Sequence, residues 1–521
     1  MAPSALSVDR HGPIPAYLKA SVFLAGLGVM AAEMTAPRLL APSFGTTQLI
    51  WTNIIGTVLA SLTLGAWLGG KLADRRPTLR AYATTLALAG LLLAAVPLAS
   101  RPYLMAASAA LAEHRAGTFL LSLVAVCLFF APPIFLLGMI GPWAVRLAGS
   151  GRTDLGRVAG TLSGLSAFGS ILGTFLASLV ALPLLGTRAT LLATAGLLLV
   201  TGAWGAFRSN PARVAALLLA AGFPWLGVGP TKRDSGQLYE AESLYQYVQV
   251  RRGADGWLRL YLNEGGAYHS VLPAEGWLTG GVWDYVSALP ALATQPGEPL
   301  RVLLLGLAAG TMARQIDHYF GPSRELTIHG VEIDPEVVAV GRRFFEMDRI
   351  ASLEVHVGDA RPFVEHAAGP YDLIVADAYR QARIPFHMAT REFFAACRAR
   401  LAPGGVFVAN VATYADSKAT LDALAATLSS VFPHVARFER SNVDAAFSNF
   451  LYLGSDRALA PPAASDLPDE LRRAVLPTLR TTWVVPAPPS GAPVFTDDRS
   501  AIELYEERAL LREMLAARAG S

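Results

Sequence analysis

Long apolar runs fill the first half of this chain. Between residues 18 and 229, stretches of roughly twenty residues, the length needed to cross a hydrocarbon core, follow one another with few charges. Such runs must end as helices packed in lipid, because an unsatisfied backbone is too costly there. We read spans near 18 to 38, 48 to 69, 79 to 99, 118 to 141, 159 to 184, 189 to 207 and 213 to 229, the last one short and interrupted by Pro224. The stretch Tyr103 to Gly117 is too short and too polar to span, and reads as an interfacial helix. Small residues recur in "GTVLASLTLGAWLGG" and "GTLSGLSAFGSILG", which lets helices approach closely. Glu33 and Arg38 share the first run and read as an ion pair or, alternatively, as a transport site.

Over 521 residues, 53% are hydrophobic and 16% charged, yet charged residues of both signs return after residue 232. That asymmetry predicts two units, each with its own core: an all-α membrane bundle over 1–232 and an α/β unit beyond it. Lys and Arg in the expected loops favour a cytoplasmic amino terminus and a multi-pass protein of the cell membrane. A net charge of +3, with no basic block beside an aromatic platform, excludes a nucleic-acid binder. Cys127 and Cys397 stand far apart without metal-ligand spacing, so no metal site is expected.

From Gln237 the pattern changes to short alternating stretches, "LYQYVQVRR" and "WLRLYLNEG", which predict a small antiparallel sheet over 236–292. Strands then alternate with helices over 293–455, which predicts a doubly wound, Rossmann-like parallel sheet with ligands at the carboxyl ends of its strands. Gly306 and Gly310 follow the first of these strands and would let a ligand approach the backbone. Glu332 ends the second strand, where a carboxylate accepts the two hydroxyls of a ribose, and Asp359 ends the third, where it suits an adenine amino group. "YDLIVADAY" ends in Asp377. Each acid also has a plainer reading as the cap of the helix that follows. Residues 456–521 are a Pro/Ala-rich cover with at most one helix, then a final helix with Asp497 or Asp498 at its start, as its cap or, alternatively, as part of a lid over the active site.

Residues 240 to 455 resemble the spermidine synthase family of polyamine aminopropyltransferases, in the bacterial branch that carries an N-terminal membrane domain. "ESLYQYVQV", "GLAAGTMARQ", "VEIDPEVV", "GDA" and "YDLIVADAY" carry the resemblance. It implies a methyltransferase-like fold and transfer of an aminopropyl group from decarboxylated S-adenosylmethionine to putrescine or a related diamine. The donor would be a co-substrate, with no permanently bound cofactor. Asp377 would be the catalytic base, and Gln246, Gly306, Gly310, Glu332, Asp359 and Ala360 would hold the nucleoside. Two family acids are replaced, by Ala309 in the Gly-rich turn and by Arg380 three residues after the base. Trp283 and Asp284 in "TGGVWDYV" are then expected to act as wall and counter-charge to the acceptor, with Tyr268 and Tyr379 supplying hydroxyls. Arg380 and Arg383 would alternatively suit an anionic acceptor. The competing functions are a methyltransferase-like enzyme using intact S-adenosylmethionine, and a transporter or sensor with a non-catalytic binding domain. The resemblance also implies a homo-oligomer and a cytoplasmic catalytic unit, since the donor is made in the cytosol.

Overall fold

The computed structural model describes residues 13–44, 48–113, 118–207, 234–263, 267–378, 385–414, 417–441, 447–487, 490–502 and 505. The chain divides into two compact units, Met1–Lys232 and Arg233–Ser521.

The first unit is helical: α1 Ala16–Phe44, α2 Gln48–Arg75, α3 Leu79–Glu113, α4 Thr118–Phe129, α5 Ala131–Gly149, α6 Leu155–Leu176 and α7 Leu182–Phe207. Five helical stretches among the described residues are long and apolar enough to cross a membrane, the last running from Leu155 to Ala206. Glycines set the closest crossings. A methyl group on Gly169 of α6 would lie 2.0 Å from the carbonyl oxygen of Phe23 in α1, and one on Gly65 of α2 would lie 2.2 Å from that of Phe135 in α5. Only hydrogen side chains permit these approaches.

Three expectations are corrected here. The run 118 to 141 is two helices divided at Phe130, because Pro132 and Pro133 suit a first helical turn but not an interior one. The stretch from Tyr103 is no separate interfacial helix: α3 continues through Pro102 to Glu113. The runs 159 to 184 and 189 to 207 are joined through a π-helical turn, Ala177–Ala181, and the chain kinks at Gly186, whose φ of 76° leaves the helical region. The run 213 to 229 lies outside the described residues.

The second unit opens with an antiparallel sheet in the order β1 Gln237–Glu242, β2 Tyr247–Arg252, β3 Leu258–Leu262 and β4 Tyr268–Leu272. Its larger sheet comprises β5 Leu300–Leu305, β6 Leu326–Glu332, β7 Leu353–Val357, β8 Tyr371–Ala376, β9 Leu401–Tyr414, β10 His434–Ser441 and β11 Phe447–Ser455, in the order β10-β11-β9-β8-β5-β6-β7. Strands β9, β8, β5, β6 and β7 run parallel, and β10 and β11 close one edge in antiparallel fashion. Apart from Arg301 near its start, β5 is apolar because both of its faces are covered, as central parallel strands require. This is the expected Rossmann-like fold behind a small antiparallel sheet. The cover after β11 holds one α-helix among the described residues, Asp469–Thr482.

Candidate active site

The order of strands reverses between β5 and β8, and such a reversal opens a crevice at the carboxyl ends. Register decides what lines it. Leu305 pairs with Ala376 and with Val331, and Ala376 pairs with Ala409, so the next residues, Asn410, Asp377, Gly306 and Glu332, form a row across four strand ends. Adjacent strands lie about 4.8 Å apart. The carboxylates of Asp377 and Glu332 therefore start from backbones about 10 Å apart, with only the bare Gly306 between them.

Gly306 has φ +97°, and a Cβ there would meet the Asp377 carbonyl oxygen at 2.6 Å and the Ala378 Cα at 2.7 Å. No side chain fits. The turn that follows holds Ala308 at φ +48° and Gly310 at φ +90° before the helix Thr311–Phe320 begins. Positive φ at an alanine is strained, and the Ala308 amide compensates by donating to Glu332 Oε2 at 2.9 Å. The Ala309 amide donates to Ser270 Oγ of β4 at 2.9 Å, and Thr311 Oγ1 exchanges hydrogen bonds with the Val271 backbone, so the turn is fastened to the small sheet.

Glu332 is 8% exposed. It accepts from the Ala308 amide and, through Oε1, from the Asp334 amide at 3.2 Å, with the Ile333 backbone as a further donor, which leaves acceptor capacity for a ligand. Burial pushes its carboxyl up to about 7. Asp334, fully buried, caps the helix Pro335–Phe344 through the Glu336 amide and accepts from the Ser243 hydroxyl at 2.6 Å and from the side chain of Gln246. Gln246 thus reaches the loop beside Glu332 through an acid that sequence reasoning passed over, although Asp-Pro at a helix start is a legible cap signal.

Asp377 follows β8 with its amide on the Leu305 carbonyl at 2.8 Å. Burial raises its carboxyl to about 7, opposed by Asn410 Nδ2, which donates to Oδ1 at 2.8 Å. Asn410 Oδ1 in turn accepts from Asn449 Nδ2 of β11 at 3.0 Å. Asn410 and Asn449 were not anticipated. The one signal was a polar residue closing the apolar run "GGVFVAN", and its meaning depends on β9 lying beside β8.

Asp359 is exposed and its Oδ1 accepts from the Arg361 amide at 2.9 Å, capping the helix Ala360–His366, with Ala360 buried at the first position. Tyr268 and Trp283 come together, ring centroids 5.8 Å apart, and Tyr268 is 41% exposed. Arg259 stands 5.7 Å from the Tyr268 ring. Asp284 departs from its expected part as a counter-charge. It is buried and accepts from the Thr279 amide and hydroxyl, the Gly280 amide and Gln315 Nε2, so its charge is consumed in holding the loop before Trp283. Asp497 pairs with the Arg361 guanidinium and accepts from Thr390 Oγ1 at 2.8 Å, while nearly all of the final helix expected to begin there lies outside the described residues. Tyr379, Arg380 and Arg383 lie outside the described residues.

Residues 284–456 match the spermine/spermidine synthase domain. A probable polyamine aminopropyl transferase of Bifidobacterium longum is 36% identical over 200 residues, covering 38% of this chain and 43% of that protein. The polyamine aminopropyltransferase of Vibrio vulnificus is 35% identical over 145 residues, 27% of this chain and 46% of that one. The chain thus spans less than half the length of these curated relatives. Among solved structures, a probable spermidine synthase from Corynebacterium glutamicum is 23% identical with a TM-score of 0.41, covering 52% of this chain and 98% of that one. Over residues 284–456 of its second unit, the chain is thus similar to the spermine/spermidine synthase family.

Proposed function

We propose that the second unit is a polyamine aminopropyltransferase that moves the aminopropyl group of decarboxylated S-adenosylmethionine to putrescine or a related diamine, giving spermidine and methylthioadenosine. One observation carries this reading beyond that similarity: a carboxylate tied down by Asn410 stands one strand from a bare glycine and two strands from the acid suited to a ribose.

Glu332 would accept the ribose hydroxyls through its remaining acceptor capacity, with Gln246 completing that wall through Asp334 and Asp359 and Ala360 facing the adenine. Gly306 and Gly310 leave the backbone open to the donor's middle. The reacting carbon beside the sulfonium then falls toward Asp377. An alkyl ammonium titrates near 10 and has no lone pair to give. Asp377 takes its proton, the freed nitrogen attacks the carbon, the carbon–sulfur bond breaks with its electron pair retained by sulfur, and neutral methylthioadenosine leaves. Two incoming cations lower the carboxyl's pKa, so a group that burial holds near 7 is ionised when the substrates are bound. Tyr268 and Trp283 offer aromatic faces to an ammonium, with Asp284 acting through the loop it ties. Tyr379 would complete the acceptor side with its hydroxyl.

Ala309 favours a second reading. The turn has no acid there, which removes a charge that would repel the carboxylate of intact S-adenosylmethionine. We further propose that the first unit anchors the protein as a multi-pass component of the cell membrane, with the catalytic unit on the cytoplasmic side and copies associating as homo-oligomers. A single experiment separates the enzymatic readings: product mass after incubating the full-length protein with putrescine and either donor, beside Asp377→Asn. Spermidine and methylthioadenosine from the decarboxylated donor alone, lost in the variant, are expected. Turnover of the intact donor, or equal product from Asp377→Asn, would overturn the proposal.

A further inference from the structure

A second cluster lies away from the strand ends. β6 and β7 pair in parallel with His329 opposite Glu354 and Val331 opposite His356. Side chains alternate along a strand, so His329, Glu354 and His356 share one face of the sheet. Glu332, three residues beyond His329, points to the other face and lies about 10 Å further along the strand. The proposed transfer reaction uses none of the three.

Their donor atoms converge. His329 Nε2 is 3.5 Å from Glu354 Oε2, His356 Nε2 is 3.4 Å from Glu354 Oε1, and one ligand atom from each residue lies within 4.8 Å of the others. A four-coordinate zinc ion with bonds of about 2.0 to 2.1 Å separates neighbouring donors by about 3.3 Å on tetrahedral geometry, close to both measured distances. Two further observations favour an ion over a plain His–Glu contact. His356 Nε2 is shielded from solvent, and its approach to Glu354 Oε1 at 3.4 Å does not have the geometry of a hydrogen bond, an unsatisfied state that needs a cause. His329 Nδ1 is 2.8 Å from the Tyr371 hydroxyl, an outer contact that orients the ring; with Nδ1–H donating to that hydroxyl, Nε2 is left to the ion. The nearby Arg301 guanidinium is 5.7 Å from the Tyr371 ring.

We propose that His329, Glu354 and His356 bind one divalent transition-metal ion of the zinc class. Tyr371 is the positioning residue, and Glu354, whose side chain is 64% exposed, leaves a fourth position open to water. The ion would clamp β7, an edge strand with a single neighbour, to β6. No run of sequence displays the ligand spacing, because the three residues come from two strands 25 positions apart at their matched pair.

The test uses full-length protein in detergent, without a polyhistidine tag and stripped with a chelator, titrated with Co2+ and then Zn2+. One equivalent of Co2+ should bind with the intense visible absorption of a four-coordinate site and be displaced by Zn2+. His356→Ala should weaken binding at least a hundredfold. Tyr371→Phe, which keeps the core packing, should weaken it about tenfold or more. Should His356→Ala fail to fold, Glu354→Gln at the exposed position supplies the ligand deletion. No Co2+ or Zn2+ uptake by the wild-type chain would overturn the proposal, as would uptake unchanged by Tyr371→Phe and by the ligand deletion.

Discussion

Replacing Asp377 with asparagine should remove activity and make the protein more stable at neutral pH. The native carboxyl is raised from 3.8 to about 7 by burial, so the folded state holds its proton more tightly than the unfolded chain does. The sign follows from linkage: this group favours folding below about 4, and the advantage is lost as pH rises from about 4 to about 7. Above pH 7 the full shift corresponds to about 4 kcal/mol of strain. Asp377 keeps some contact with solvent, so about half of that, roughly 2 kcal/mol, is the expected gain on neutralisation. Asparagine retains an oxygen to accept from Asn410 Nδ2, so packing and hydrogen bonding persist. At pH 8 the variant should melt about 4 to 8 °C above the wild type, with a much smaller difference at pH 5. Aminopropyl transfer should fall by about a hundred- to ten-thousand-fold. Thermal unfolding of the full-length protein in detergent at the two pH values measures the stability effect. A variant less stable than wild type at pH 8, or a difference that does not change between pH 5 and pH 8, would refute the reasoning.

Three further outcomes follow from the same row of strand ends. In the wild type, kcat/KM should fall on the acid side of about pH 7, where Asp377 in the free enzyme takes up its proton; Asn410→Ala removes the donor that favours the charged form and should move that limb up by about one pH unit, as a pH-rate profile will show. Gly306→Ala places a methyl 2.6 Å from the Asp377 carbonyl oxygen at φ +97°, and should cost at least about 2 kcal/mol of stability along with activity, measured by thermal shift and turnover. Glu332→Gln should raise the KM for the donor about ten- to a hundredfold with a smaller change in kcat, and a donor lacking the ribose hydroxyls should show little further loss with this variant.

Local pattern determined much of this protein. Runs of about twenty apolar residues specify helices whatever surrounds them, and the apolar run of β5 followed by Gly306 and Gly310 specifies strand, turn and helix. Acids placed at the ends of such strands mark Glu332 and Asp377 from local pattern alone. Tertiary structure decided which neighbours those acids have. Asn410 and Asn449 reach Asp377 only because β11, β9 and β8 lie side by side in one register, and Asp334 meets Ser243 across 91 residues of sequence. The same holds for Asp284, whose charge is absorbed by its own loop and Gln315, for Asp497, which pairs with Arg361, and for the three residues gathered on β6 and β7. Periodicity and turn chemistry act between residues a few positions apart, so a sequence displays them directly. Strand register and side-chain partnership act across tens to hundreds of positions, and are fixed only when the whole sheet has assembled.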